Sequence, residues 1–247
     1  MYTQQKLDHE FADGVAATVT YAVCALPRSG SSLLCELLFS TERAGAPGEF
    51  FDAAMMKRFR ERWGAESFED YLSALRARKT GPNGVFGFKA HFFQLEAVFP
   101  DRALEKAFPG LRYVHISRGD RLRQAISWAR ALQTHRWASE HEVRAQHPEV
   151  FRRRQIDNLI AGIEERERRW EALFTELEVE PLRVTYEQLV AAPEPTVASV
   201  LDHIGIEDAA AVPVGPPTLR RQSDELTEEW VSFYLDEGAE AAVPGAS

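Results

Sequence analysis

Four short apolar, β-branched segments punctuate the chain, each bounded by proline or glycine, with helical periodicity between them. The first runs from Val19 to Leu26 (VTYAVCAL) and stops at Pro27. The second, Gly84 to Lys89 (GVFGFK), is introduced by the turn residues Gly81-Pro82-Asn83. The third, Leu111 to Ser117 (LRYVHIS), follows Pro109-Gly110, and the fourth, Leu182 to Tyr186 (LRVTY), opens after Pro181. A helix is predicted over Arg121 to Leu132. A longer one is predicted over Arg152 to Glu178, where Ile156, Leu159, Ile163, Trp170, Leu173, Phe174 and Leu177 recur at helical spacing. Strands alternating with helices predict an α/β fold, with a parallel sheet flanked by helices on both faces.

From Ile206 the texture changes to a proline-rich loop over 206–219, followed by a short helix around Glu228 to Leu235. Residues 1–237 are expected to form one domain and 238–247 a disordered tail. A chain of 247 residues suits one α/β domain. Its 29 Lys and Arg against 38 Asp and Glu leave a net charge of −9, which argues against nucleic acid as a partner. A local pocket for a small anion stays open, since a few arginines suffice. The charge run Glu164-Glu165-Arg166-Glu167-Arg168-Arg169 alternates in sign and reads as a solvated helix face with i,i+4 pairs. No apolar run is long enough for a transmembrane helix, and the polar start MYTQQKLDHEFADG does not read as a secretory signal. With only Cys24 and Cys35 there is no disulfide framework, so a reduced, cytoplasmic protein is the expectation.

The turn after the first strand carries the first chemistry. Pro27-Arg28-Ser29-Gly30-Ser31-Ser32 leads straight into the helical run Leu33-Leu34-Cys35-Glu36-Leu37-Leu38. A small-residue turn between strand and helix is where P-loop-type proteins hold phosphate-like groups, because backbone N–H groups converge at a positive helix terminus. What the turn lacks narrows the class. The lysine and Mg²⁺-binding hydroxyl of GxxxxGK[ST] are missing, and the third strand ends in Arg118 rather than a metal-binding acid. A Cys-x5-Arg phosphatase loop is excluded because Gly30 stands where its arginine would be. The site therefore reads as one that holds an anionic nucleotide with protein cations, with no metal site; His9, His115, His135, His141, His147 and His203 are scattered and read as structural.

Arg118 at a strand end and Ser127 on the following helix form a second anion-binding candidate. Two such sites, one per βα unit, fit a nucleotide phosphorylated on two carbons. The pattern resembles sulfotransferases that use 3′-phosphoadenosine 5′-phosphosulfate (PAPS). In order along the chain come PRSGSSLL, AGAPGEFF (Ala44 to Phe51), PNGVFGFK, HISR with RQAISWARALQT, and RRQSDELTEEW (Arg220 to Trp230). That series resembles the bacterial carbohydrate sulfotransferases typified by mycobacterial trehalose 2-sulfotransferase.

The resemblance implies roles. Arg28, Ser29, Gly30, Ser31 and Ser32 would hold the 5′-phosphosulfate, and Arg118 with Ser127 the 3′-phosphate. Arg221 and Gln222 would close over the nucleotide, and Tyr186 would approach the adenine. Glu49 matches the family's proposed general base, in a pocket whose apolar walls would raise its pKa. Lys89-Ala90-His91 resembles the Lys-x-His element of cytosolic aryl and alcohol sulfotransferases, which makes His91 a second candidate base or a substrate contact, or else a histidine partly buried among Phe88, Phe92 and Phe93. Arg28, the loop amides and Lys89 would stabilise the leaving phosphate. The resemblance also implies a possible homodimer. It leaves the acceptor open among trehalose, lipid-linked sugars, lipopolysaccharide sugars and other glycosides. Phe50, Phe51, Phe92, Phe93 and Trp128 are either core residues or sugar platforms. The rival readings are a Mg²⁺-dependent P-loop phosphotransferase and a non-catalytic nucleotide-binding protein.

Overall fold

The computed structural model describes residues 7–11, 15–100, 103–135, 137, 148–219 and 224–241. Its centre is a parallel sheet of four strands: β1 (Val19–Ala25), β2 (Val85–His91), β3 (Arg112–Ser117) and β4 (Leu182–Thr185). The spatial order is β2-β1-β3-β4, so β1 lies inside the sheet and every connection is a crossover. All four expected strands are present. The one boundary that matters is β2, which continues past Lys89 because Cys24 and Ala25 of β1 still pair with Ala90 and His91.

Because side chains alternate along a strand, each strand feeds two cores. Ala22 and Cys24 of β1, with Phe86, Phe88 and Ala90 of β2, join the aromatic core that includes Phe50, Phe51, Phe108, Trp170 and Phe174. Tyr21, Val23 and Ala25 face the opposite way, onto Leu34, Leu37, Val197, Val200 and Leu201. The first core is covered by α2 (Ala53–Trp63), α3 (Phe68–Lys79), α4 (Phe92–Val98), α5 (Ala103–Ala107) and α7 (Arg153–Glu176). The second is covered by α1 (Ser31–Ser40), α8 (Tyr186–Ala191) and α9 (Pro193–His203). The parallel sheet covered on both faces is thus the predicted one. Gly87 permits the close packing of β1 on β2: a Cβ there would sit 2.4 Å from the Tyr21 ring, whose hydroxyl donates to the Ala44 carbonyl.

Two further helices also contribute to the first core. Helix α6 (Arg121–Thr134) leaves β3, and its Gln133 amide reaches Gln155 near the start of α7. Helix α10 (Glu225–Ala241) is longer at both ends than the sequence pattern marks. Arg130 of α6 ties it down, pairing with Asp224 and Thr227 as well as Glu149. The loop over 206–219 contains a 3-10 turn (Ala209–Ala211) and is pinned to α1. There the buried Glu36 carboxylate accepts from Thr218 N and Leu219 N. The charged face of α7 uses i,i+3 and cross-element pairs, such as Arg168–Glu165 and Arg121–Glu164, alongside the i,i+4 pair Arg153–Asp157. Among the described residues no helix is long and apolar enough to cross a membrane.

Candidate active site

In a parallel sheet all C-terminal strand ends lie on one edge, and groups scattered along the sequence meet there. Arg28, Ser29 and Gly30 follow β1, Lys89 and His91 end β2, Arg118 follows β3, and Tyr186 follows β4. Glu49 arrives by a different device. Gly48 forms an isolated parallel bridge with Phe88, and its carbonyl accepts from Lys89 N at 2.8 Å, which lays the 48–49 segment along the free edge of β2.

The loop between β1 and α1 is strained in the sense that anion-binding turns require. Arg28 and Gly30 both take left-handed backbone, at φ 65° and 87°. Gly30 caps α1 without any side-chain hydrogen bond, so the first amides of the helix keep their donors. A Cβ on Gly30 would lie 2.5 Å from Tyr186 Cδ2, so only glycine admits the tyrosine ring here. Ser29 Oγ is buried and finds no hydrogen-bond partner among the described residues. An orphaned hydroxyl beside an uncapped helix terminus fits a cradle for anionic oxygens.

Arg28 and Ser127 were expected in different sub-sites, and the structure brings them together. Arg28 Nε donates to Ser127 Oγ at 2.8 Å, while its Nη1 donates to the Trp137 carbonyl at 2.5 Å. The Arg118 guanidinium lies 4.6 Å from the Tyr186 ring centroid, and its Nη1 reaches the Arg28 carbonyl at 3.5 Å. Several residues to which the resemblance assigned no role hold these groups. Gln124, fully buried, donates to the Pro27 carbonyl at 2.9 Å. The Glu187 carboxylate accepts from Gly119 N and Asp120 N, clamping the turn after Arg118. Thr185 and Gln188 form a capping box that sets the start of α8, and with it Tyr186. Arg221 and Gln222 lie outside the described residues.

Glu49, Lys89 and His91 form one cluster at the other end of the loop. Lys89, nearly buried on β2, donates to Ser32 Oγ at 3.0 Å and to Glu49 Oε1 at 2.5 Å. The other carboxylate oxygen accepts from Gln94 Nε2 at 3.2 Å and lies 3.8 Å from His91 Nε2. His91 Nδ1 sits 3.0 Å from the Ala25 carbonyl, which can only accept, so the proton is on Nδ1 and Nε2 carries the lone pair. Gln94 is legible in retrospect: it stands three residues after His91, at capping spacing, and its Oε1 accepts from His91 N.

The electrostatics correct one expectation. Apolar walls were expected to raise the pKa of Glu49. Burial does push it up, but the Lys89 ammonium, His91 and the hydrogen bonds from Lys89 and Gln94 outweigh that and hold it at about 2. The aromatic neighbours are not its walls, because Phe50 and Phe51 turn into the core. For Lys89, burial alone would lower the pKa, and the Glu49 carboxylate reverses that and raises it. For His91, burial is the largest effect and leaves the imidazole below its usual value despite Glu49. Of the other aromatic candidates, Phe92 packs edge-on against Trp170. Phe93 is 48% exposed and stacks on the His91 ring, its centroid 5.8 Å away. Among the described residues no group of three or more His, Cys, Asp or Glu is arranged to hold a metal ion.

The trehalose 2-sulfotransferase of Mycobacterium tuberculosis (strain ATCC 35801 / TMC 107 / Erdman) is 32% identical over 263 residues, spanning 91% of this chain and 97% of the relative. The trehalose 2-sulfotransferase of Mycolicibacterium smegmatis is 29% identical, with the same coverage. Among solved structures, a sulfotransferase domain from the curacin biosynthetic pathway overlaps with a TM-score of 0.47 at 15% identity, covering 86% of this chain and 82% of that one. The profile of the Stf0 sulphotransferases matches residues 20–237, and the chain belongs to that family.

Proposed function

We propose that the protein moves a sulfuryl group from PAPS to a hydroxyl of a sugar or glycoconjugate, with Glu49 as general base. The observation that carries this is the unbroken contact chain Ser32–Lys89–Glu49, which joins the anion loop to a carboxylate at a solvent-accessible edge. The donor supplies an activated sulfuryl group. As the acceptor oxygen bonds to sulfur, the bond from sulfur to the phosphate oxygen breaks, and the acceptor proton passes to Glu49. Negative charge grows on the departing phosphate, which Arg28, the first amides of α1 and Lys89 are placed to stabilise.

The low basicity of free Glu49 has a local remedy. An anion seated on the α1 terminus competes with Glu49 for the same ammonium, because Lys89 already touches Ser32. Drawing Lys89 toward the loop leaves Glu49 with Gln94 and His91 as partners, and its affinity for a proton rises. Arg118 and Ser127 serve the 3′-phosphate, and Tyr186 flanks the nucleotide. The uncommitted Nε2 of His91, 3.8 Å from Glu49, supports a second reading in which His91 takes the proton. The names of the two mycobacterial relatives favour a trehalose-like disaccharide as acceptor. The deciding experiment is turnover of sulfur-labelled PAPS with a panel of sugars in the presence of EDTA. Labelled sugar formed under those conditions supports the proposal; labelled phosphate transfer from Mg-ATP, and none of sulfate, would overturn it.

A further inference from the structure

Residues 7–11 form a short strap against the segment that carries Glu49. Leu7 packs on Gly48 so closely that a Cβ on that glycine would lie 2.8 Å from Leu7 Cδ2. The carbonyls of Leu7 and His9 both accept from Lys79 Nζ, at 2.6 and 2.5 Å. Phe11 N donates to the Arg78 carbonyl, Asp8 pairs with Arg58 and Arg62, and Glu10 pairs with Arg62 and Arg78. Lys79, the last residue of α3, is fully buried, its ammonium 5.5 Å from the Phe50 ring centroid and 5.0 Å from that of Phe59. Burial, the largest effect, pulls its pKa down to about 8 against the carboxylates of Glu10 and Asp8. An apolar side chain would fill that place without the cost of desolvating a charge. What the ammonium adds is a grip on two strap carbonyls and on the face of Phe50, the residue after Glu49.

The Glu49 backbone has little other support. Segment 48–49 lies on the free edge of β2, where the sheet holds it through the isolated Gly48–Phe88 bridge and a hydrogen bond from Lys89 N. A hydrogen bond of that kind contributes about 0.5–1.5 kcal/mol. The ion pair with Lys89 is the contact that loosens when a nucleotide draws the ammonium toward Ser32. The contacts that the reaction leaves alone are Leu7 on Gly48, Lys79 over Phe50, and the Tyr71 hydroxyl, which donates to the Phe50 carbonyl at 2.5 Å. We infer that Leu7 and Lys79 are positioning residues for sulfuryl transfer: Leu7 presses Gly48 onto β2, Lys79 latches the strap, and Glu49 is thereby held in register with the anion loop. The inference rests on Glu49 as the base. A shift of about 1 Å at a reacting group can cost ~10²-fold in rate, so a loosened loop shows in the chemistry before it shows in nucleotide binding.

The test compares Leu7→Ala, Leu7→Met and Lys79→Met with the wild type, each as the full chain. Two quantities are read: single-turnover transfer from saturating PAPS to an acceptor found in the sugar panel, and hydrogen exchange of the Lys89 amide in the presence of 3′,5′-ADP. In Leu7→Ala and Lys79→Met the transfer rate should fall about tenfold or more, while 3′,5′-ADP affinity stays within about twofold. The Lys89 amide, which donates to the Gly48 carbonyl, should exchange about tenfold faster relative to the Val23 amide inside the sheet. Leu7→Met restores the covering bulk and should return both rate and exchange to within about threefold of wild type. An unchanged rate or unchanged relative exchange in Leu7→Ala, no recovery in Leu7→Met, or a loss of nucleotide affinity as large as the loss of rate would each overturn the inference. If Lys79→Met does not fold, Leu7→Ala decides the matter by itself, since Leu7 is only partly buried. A wild-type rate in Glu49→Gln would instead strike the base assignment, and Lys89 exchange in Leu7→Ala would still report whether the strap holds the loop.

Discussion

Replacing Glu49 by glutamine keeps the shape of the side chain and removes its charge and its capacity to take a proton. The glutamine carbonyl can still accept from Lys89, and its amide can donate to His91 Nε2, which lies 3.8 Å from the present carboxylate oxygen. Lys89, only 6% exposed, then loses its counter-charge. Stripping a buried donor of its charged partner costs about 1–3 kcal/mol, which for a chain of this size lowers Tm by roughly 2–12 °C. Loss of the general base should lower the chemical step by ~10²-fold or more. The two effects separate in a single-turnover assay run well below the melting temperature, with saturating PAPS and an acceptor found in the sugar panel. Acid stability gives an independent check. Glu49 is held at about 2 against an ordinary 4.5, so its stabilising contribution is complete above pH 4.5 and lost as pH falls toward 2. The Gln variant should lack that acid-sensitive component. A near-wild-type rate in Glu49→Gln, with the collapse appearing in His91→Ala, would transfer the base to His91 and refute the assignment.

Arg118→Ala should weaken 3′,5′-ADP by ~10–100-fold and 5′-AMP far less, because a charge-assisted contact worth ~1.5–3 kcal/mol is lost only at the 3′-phosphate. Equal losses in the two titrations would show that Arg118 serves some other part of the ligand. Gly30→Ala places a Cβ 2.5 Å from Tyr186 Cδ2 on backbone at φ 87°, a strain of about 1–3 kcal/mol. Both Tm and 3′,5′-ADP affinity should fall, and an unchanged pair of values would mean that the Gly30–Tyr186 contact plays no part in shaping the loop.

Much of the fold was legible because it rests on local pattern. Strand β1, the small-residue loop and α1 follow from an apolar run, a Pro-Arg-Ser-Gly-Ser turn and a helical repeat, and no distant residue is needed to read them. The same holds for Arg118 at the end of β3. The charge state of Glu49 was not legible. Its sequence neighbours Gly48, Phe50 and Phe51 suggest an apolar pocket, whereas its actual neighbours are Lys89, His91 and Gln94, some forty residues on.

The amino-acid pattern by itself determined the α/β class, the parallel alternation, the anion loop and the list of residues able to do chemistry, because periodicity and turn chemistry act over a few residues. Only the tertiary structure decided how that list is assembled. It laid Glu49 along the edge of β2, and set Arg28 against Ser127 and Arg118 against Tyr186. Ion-pair distances, and the pKa values they set, depend on strand order and register, and a one-dimensional pattern does not encode which strand ends become neighbours.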